Sequence, residues 1–121
     1  MASVLTNYLG NLMLSTQLAT GTKYLALFAA DPGVTGSLAD EIAGGGYARQ
    51  PIGFTQPGSK TTANTELIRF DAMPACVVNW LGVCDAISSG HLLALVAAPF
   101  EISVEADSSF VVPAGALALT I

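Results

Sequence analysis

Charge is what this sequence has least of. Asp, Glu, Lys and Arg together make up 11% of its 121 residues, against roughly 25% in an ordinary soluble domain. A folded monomer of this length exposes on the order of 6,000 Å², so nine acids and four bases leave wide uncharged areas between them. Large apolar patches on a solvated surface are contact surfaces or aggregation sites. The simplest resolution is that partners cover much of this surface. The alternative is a monomer whose exterior is built of Ser, Thr, Gly and Asn.

Other absences narrow the function further. The four bases, Lys23, Arg49, Lys60 and Arg69, are scattered, so no basic cluster offers an electrostatic footprint for nucleic acid. A net charge of −5 also disfavours anionic lipid headgroups. The longest uncharged stretches are broken by Pro74, Gly82, Gly90 or Pro99, too short or too polar for a membrane span. Residues 1–20 contain no Lys or Arg and so lack the positive region of a secretory signal. Protein is the expected partner. No cofactor is implied.

There are two cysteines, Cys76 and Cys84. Their even offset would put both on one face of a single strand, too far apart to bridge without a bend. Buried free thiols are the reading taken, which fits assembly in a reducing cytoplasm.

What is present reads mainly as short strands. Val4, Leu5, Tyr8, Leu9, Leu12 and Met13 fall at helical spacing behind Ser3, predicting an N-terminal helix over 3–14 with Ser3 as its cap. Ser15 to Thr22 should end it. Lys23 to Ala30 then predicts a buried strand closed by Asp31-Pro32-Gly33, a turn by proline's fixed φ and glycine's freedom. Val34 to Gly46 reads as a loop. Tyr47 to Phe54 reads as an edge or bulged strand because of Pro51.

Gln56 to Ala63 is the most polar stretch and is expected as a surface loop. Strands are predicted at Thr65 to Phe70, at Val77 to Cys84 with Trp80 as anchor, and at His91 to Ala98 ending at Pro99. Phe100, Ile102 and Val104 alternate with Glu101, Ser103 and Glu105 as a half-buried strand. Phe110 to Val112 and the alternation Leu117, Leu119, Ile121 complete the set. About eight short strands after one helix predict a mainly β fold, an antiparallel, jelly-roll-like β-sandwich. The expected organisation is a helix and linker over 1–22 and one sandwich domain over 23–121.

No constellation for catalysis emerges. His91 is the only histidine, so no His-based metal cluster or acid/base pair can form within one chain. Ser88-Ser89-Gly90-His91 lacks the G-x-S-x-G elbow and reads as a turn. Gly44-Gly45-Gly46 has no following Gly-Lys-Ser/Thr and reads as a flexible connection, not a phosphate cradle. Asp40 and Glu41 lack the alternating oxygens of a calcium loop and read as solvated. Asp31, Asp85 and Asp107 sit where carboxylates bond turn amides. An enzyme or small-molecule binder is thereby disfavoured.

Four blocks carry a family signal. They are Tyr24-Leu25-Ala26-Leu27-Phe28-Ala29-Ala30-Asp31-Pro32-Gly33, then Gly45-Gly46-Tyr47-Ala48-Arg49-Gln50, then Trp80-Leu81-Gly82-Val83-Cys84-Asp85-Ala86 running into Gly90-His91-Leu92-Leu93, and Ala114-Gly115-Ala116-Leu117. In this order they resemble a family of small tailed-phage virion proteins commonly labelled tail fibre proteins. The resemblance implies a structural role in the virion and transfers no catalytic residue. The chain has no heptad or shaft repeat, so the expectation is a capsid-surface decoration or cement protein, a trimer bound to itself and to the major capsid protein. The alternative is a tail fibre, baseplate or tail-tip component, with Gln56 to Ala63 facing a host receptor. Val4, Leu5, Tyr8, Leu9, Leu12 and Met13 are the expected interface.

Overall fold

The structure, a computed structural model, describes residues 3–120. It is mainly β, with one helix, α1 (Asn7–Gln17), and eight strands: β1 (Lys23–Phe28), β2 (Gln50–Ile52), β3 (Thr61–Ala63), β4 (Ile68–Met73), β5 (Cys76–Cys84), β6 (Leu92–Val104), β7 (Ser108–Val112) and β8 (Ala118–Thr120). All pairings are antiparallel. One sheet has the order β2-β1-β5-β6, and β3-β8 and β4-β7 form two ribbons. The pairs β5·β6, β4·β7 and β3·β8 are nested, as in a long hairpin folded over on itself, which gives the jelly-roll character.

One apolar cluster unites the layers. Leu25, Leu27, Val78, Leu81 and Val83 of the four-stranded sheet meet Ile68, Phe70, Met73, Phe110, Val112 and Leu119 of the ribbons. Phe70 stacks on Tyr47 at 5.9 Å and meets the ring of Phe110 edge-on at 6.2 Å. Leu14 and Leu18, from α1 and the residue capping it, belong to the same cluster. A smaller cluster of Ala26, Phe28 and Cys84 lies on the sheet's other face, with Leu38, Trp80 and Leu92 packed against it.

Several expectations are corrected. The helix begins later and ends later than 3–14. Thr6, not Ser3, caps it, accepting from the Leu9 amide at 3.4 Å. A start at Ser3 would put Val4 and Thr6, both β-branched, in the first turn. At the other end the apolar spacing Leu14, Leu18 continues the helix through Ser15–Gln17. Gln56 to Ala63 is not wholly loop, since Thr61–Ala63 pairs with β8 and Thr62 is buried. The Thr62 hydroxyl is satisfied by donating to the Thr55 carbonyl at 2.6 Å.

The two strands predicted on either side of Pro99 are one strand, β6. Pro99 is tolerated because β6 is a sheet edge and because Val78 pairs with Ile102 while Trp80 pairs with Ala97. Asn79 therefore faces four residues of β6, a bulge that needs no amide from Pro99. The bulge also turns Phe100 outward, 70% exposed, against the expected inward alternation with Ile102 and Val104. The irregularity at Asn79 shifts β5 as well. Cys76 packs on the main cluster and Cys84 in the smaller one, so the free thiols face opposite sides and not one face. Trp80 is half-buried on the outer face and is no core anchor. Pro51 lies on edge strand β2 as expected. Leu117 and Leu119 are buried; Ile121, the last member of that alternation, lies outside the described residues.

Candidate functional site

Two polar clusters are the first places to look for chemistry. Arg49 is buried, and its Nε and Nη2 donate to the two Glu41 carboxylate oxygens at 2.8 Å each. Its Nη1 donates to the carbonyls of Ala86 at 2.9 Å and Ser89 at 2.8 Å. The Tyr47 hydroxyl donates to Glu41 Oε2 at 2.7 Å and accepts from the Leu27 amide at 3.1 Å. Burial on its own pushes the Glu41 carboxyl up, but the hydrogen bonds from Arg49 and Tyr47 outweigh it and hold the group below its ordinary value. Burial, with the adjacent carboxylate, pushes the Tyr47 phenol far up. Every strong donor and acceptor is thus already paired within the protein. The cluster staples the Glu41 loop to the Asp85–Gly90 turn and holds nothing free for a substrate.

Glu41 is therefore not the solvated loop carboxylate expected from its neighbours. Nor is Gly44-Gly45-Gly46 a flexible connection. The Gly46 amide donates to the Ala72 carbonyl at 2.7 Å. A Cβ on Gly45 would lie 2.9 Å from the Pro74 nitrogen. The glycines let one backbone dock closely on another.

The second cluster is Asp85 with His91. Asp85 accepts from the His91 amide at 2.7 Å and sits 3.1 Å from its Nδ1. These contacts, the backbone one foremost, hold the Asp85 carboxyl below its ordinary value. Asp31 closes its own turn by accepting from Gly33 at 2.8 Å. Among the described residues no group of three His, Cys, Asp or Glu side chains is placed to hold a metal ion, and no helix is long and apolar enough to cross a membrane.

The remaining candidate is apolar. With about 3.6 residues per turn, Leu14 and Leu18 point inward, while Tyr8, Leu9, Leu12 and Met13 spread over an arc of about 140° on the opposite side. Val4 is 82% exposed, Tyr8 79%, and Leu9, Leu12 and Met13 between 42% and 46%. The half-buried Leu5 precedes the helix, its carbonyl accepting from Lys60 Nζ at 2.8 Å. Asn11 Oδ1 accepts from the Lys60 amide at 2.8 Å. Gly10 leaves room for the Lys60 stem, whose Cγ would collide with a Cβ there. These contacts fix the helix with its wider apolar side turned to solvent, and Met13 joins Leu93 of β6 across a cleft of about 380 Å³.

The four blocks that carry the resemblance meet in this architecture. Arg49 of the second block bonds Ala86 of the third, and the first block is β1 with its Asp31 turn. The fourth block turns the chain into β8, where the Leu117 amide donates to the buried Asn64 at 2.9 Å. The sequence profile of a family described as Podophage GP4 fiber I protein gp80 matches residues 1–120. The chain belongs to this family. No curated protein matches it. A phage fibre protein is a structural component of the virion, and membership over this whole span favours the tail fibre reading over capsid decoration.

Sequence reasoning missed the Glu41–Tyr47–Arg49 cluster. Its only local signal was a lone arginine two residues after a tyrosine in an otherwise apolar, glycine-rich stretch. The partners Glu41 and Ala86 come from separate loops that only the fold brings together.

Proposed function

We propose that this protein is a subunit of the tail fibre apparatus of a phage, acting through protein–protein contact, with the outward face of α1 as its docking surface for other virion proteins and for copies of itself. The apolar face of α1 carries this reading: five exposed large apolar side chains on a segment without a single charge, held outward by Lys60 and Asn11. A patch of this kind is an interaction surface by default. Protein–protein contact needs neither cofactor nor catalytic group. Gln56 to Ala63, the loop expected to face a host receptor, is tied to the helical segment through Lys60, which bonds Asn11 and Leu5, so a receptor contact there would share one end of the molecule with the docking face.

The scarcity of charge fits a fibre subunit packed among partners as well as it fits a capsid cement, and the family description supports the fibre. Copy number per purified particle, from quantitative mass spectrometry, tests the assignment. A dozen or fewer supports a tail location. Hundreds would return the protein to the capsid, and absence from particles would end the virion reading.

A further inference from the structure

Strands β6 and β7 are consecutive and joined by the tight turn at Glu105–Asp107, where Asp107 has φ 63° and the Ser108 amide donates to the Glu105 carbonyl at 3.2 Å. Two such strands ordinarily pair as a hairpin. Here they do not: β6 pairs with β5 in the four-stranded sheet and β7 with β4 in a ribbon. Each keeps one edge without a strand partner among the described residues, and the two edges border one seam where the sandwich opens.

The seam is apolar at its base. A cleft of about 220 Å³ lies between the layers, reaching Leu81, Phe110 and Leu117 of the core. It continues into a shallow groove of about 530 Å³ edged by Phe100, Glu105 and Val111. Phe100 and Val111 are exposed beside it. Unpaired strand edges beside an apolar groove are the recognition chemistry of strand addition, in which backbone hydrogen bonds hold an extended peptide and alternate side chains fill the groove. Pro99 lacks an amide and interrupts the β6 edge, so the segment Phe100–Val104, with β7, is the part open to pairing.

Charge selects the occupant. Glu105 lines the groove, Glu101 stands in β6 between its lining residues Phe100 and Ile102, and Asp107 lies in the turn that closes it, while no Lys, Arg or His occurs in residues 92–121. The nearby Arg69 is taken by Asp71 at 2.7 Å and by Ser109 at 3.3 Å. The uncharged residues 1–22 of a second copy offer nothing to these acids. We infer that the β6–β7 seam receives an extended apolar strand, with Lys or Arg at its end, from a different virion protein. This rests on the assignment of the chain to the virion.

Photo-crosslinking in assembled particles tests it. p-Benzoyl-phenylalanine is placed at position 111 in the seam and, as a control, at the exposed position 67. The expected product from position 111 is a crosslink to another virion protein, in a peptide that alternates apolar residues beside Lys or Arg. Its yield should fall at least five-fold in the Glu101→Lys/Glu105→Lys variant at unchanged thermal stability. A crosslink to a second copy, to an acidic or helical segment, or no more product than from position 67 would overturn the inference alone. Absence of the chain from the particles would overturn it together with the virion assignment.

Discussion

Arg49 grips Glu41 with two parallel hydrogen bonds of 2.8 Å while almost wholly buried, its side chain 4% exposed against 17% for Glu41. A bidentate pair of this kind has fixed geometry as well as charge. Removing one partner strands the other charge in a dry site, which costs about 3–5 kcal/mol. Glu41→Ala should therefore lower unfolding free energy by about that amount in urea titration. The Glu41→Leu/Arg49→Met double variant should lose less than the sum of the single losses, because it removes the stranded charge too. Additive losses would mean the two groups do not interact.

Acid should act through the same carboxylate. Glu41 is held below its ordinary value of 4.5 and Asp85 below 3.8. A group whose pKa is lower in the folded state binds its proton more tightly when unfolded, so its stabilisation is complete above the unfolded value and is lost as pH falls through the folded one. The melting temperature should stay level on the carboxylates' account from neutrality to about pH 5 and decline below it. In Glu41→Gln that acid decline should be shallower. An unchanged slope would assign the acid sensitivity to other carboxylates.

The sequence revealed the strands and hid what joins them. Short apolar runs between turn signals located the strands that carry Ile68, Phe70 and Val112, alternation located Leu117 and Leu119, and Pro51 announced an edge, because these signals depend on residues a few positions apart. The bulge at Asn79 could not be read, since it arises from pairing with β6, and with it went the facing of Phe100, Cys76 and Cys84. The apolar helix residues were legible as a stripe. Which stripe faced the core was not, because Leu14 and Leu18 lie partly beyond the run that defined it and Lys60 comes from a distant turn.

Gly45 and Gly33 separate backbone conformation from space. Both have positive φ, 54° and 71°. A Cβ on Gly33 meets nothing within 4 Å, whereas one on Gly45 meets the backbone of Ala72 and Pro74. Gly33→Ala should cost about 1 kcal/mol for the left-handed conformation alone. Gly45→Ala adds a clash with main chain that no rotamer relieves, and should cost about 2–4 kcal/mol in all. Equal melting temperatures for the two would show that the 44–46 segment yields easily.

The thiols provide a check on the β5 irregularity. Cys84 is fully buried and Cys76 half-buried, and burial pushes both thiols up. A thiol reagent at neutral pH should modify Cys76 slowly and Cys84 only on unfolding. Two thiols should be counted in denaturant without reductant. Equal native reactivity at the two sites would place them on one face and remove the bulge.

The two sides of α1 should fail differently. Leu14 is 3% exposed and packed in the main cluster, so Leu14→Ala should cost about 2–4 kcal/mol of stability. Leu12 is 46% exposed and belongs to neither buried cluster. Leu12→Lys and Tyr8→Lys should each change stability by less than about 0.5 kcal/mol, yet place a charge in the middle of the apolar face and reduce incorporation into particles several-fold. The comparison matters because a helix that only completed the fold would show its losses in melting temperature. If Tyr8→Lys and Leu12→Lys assemble like the unaltered protein, the outward face is not a docking surface, whatever Leu14→Ala does to the core.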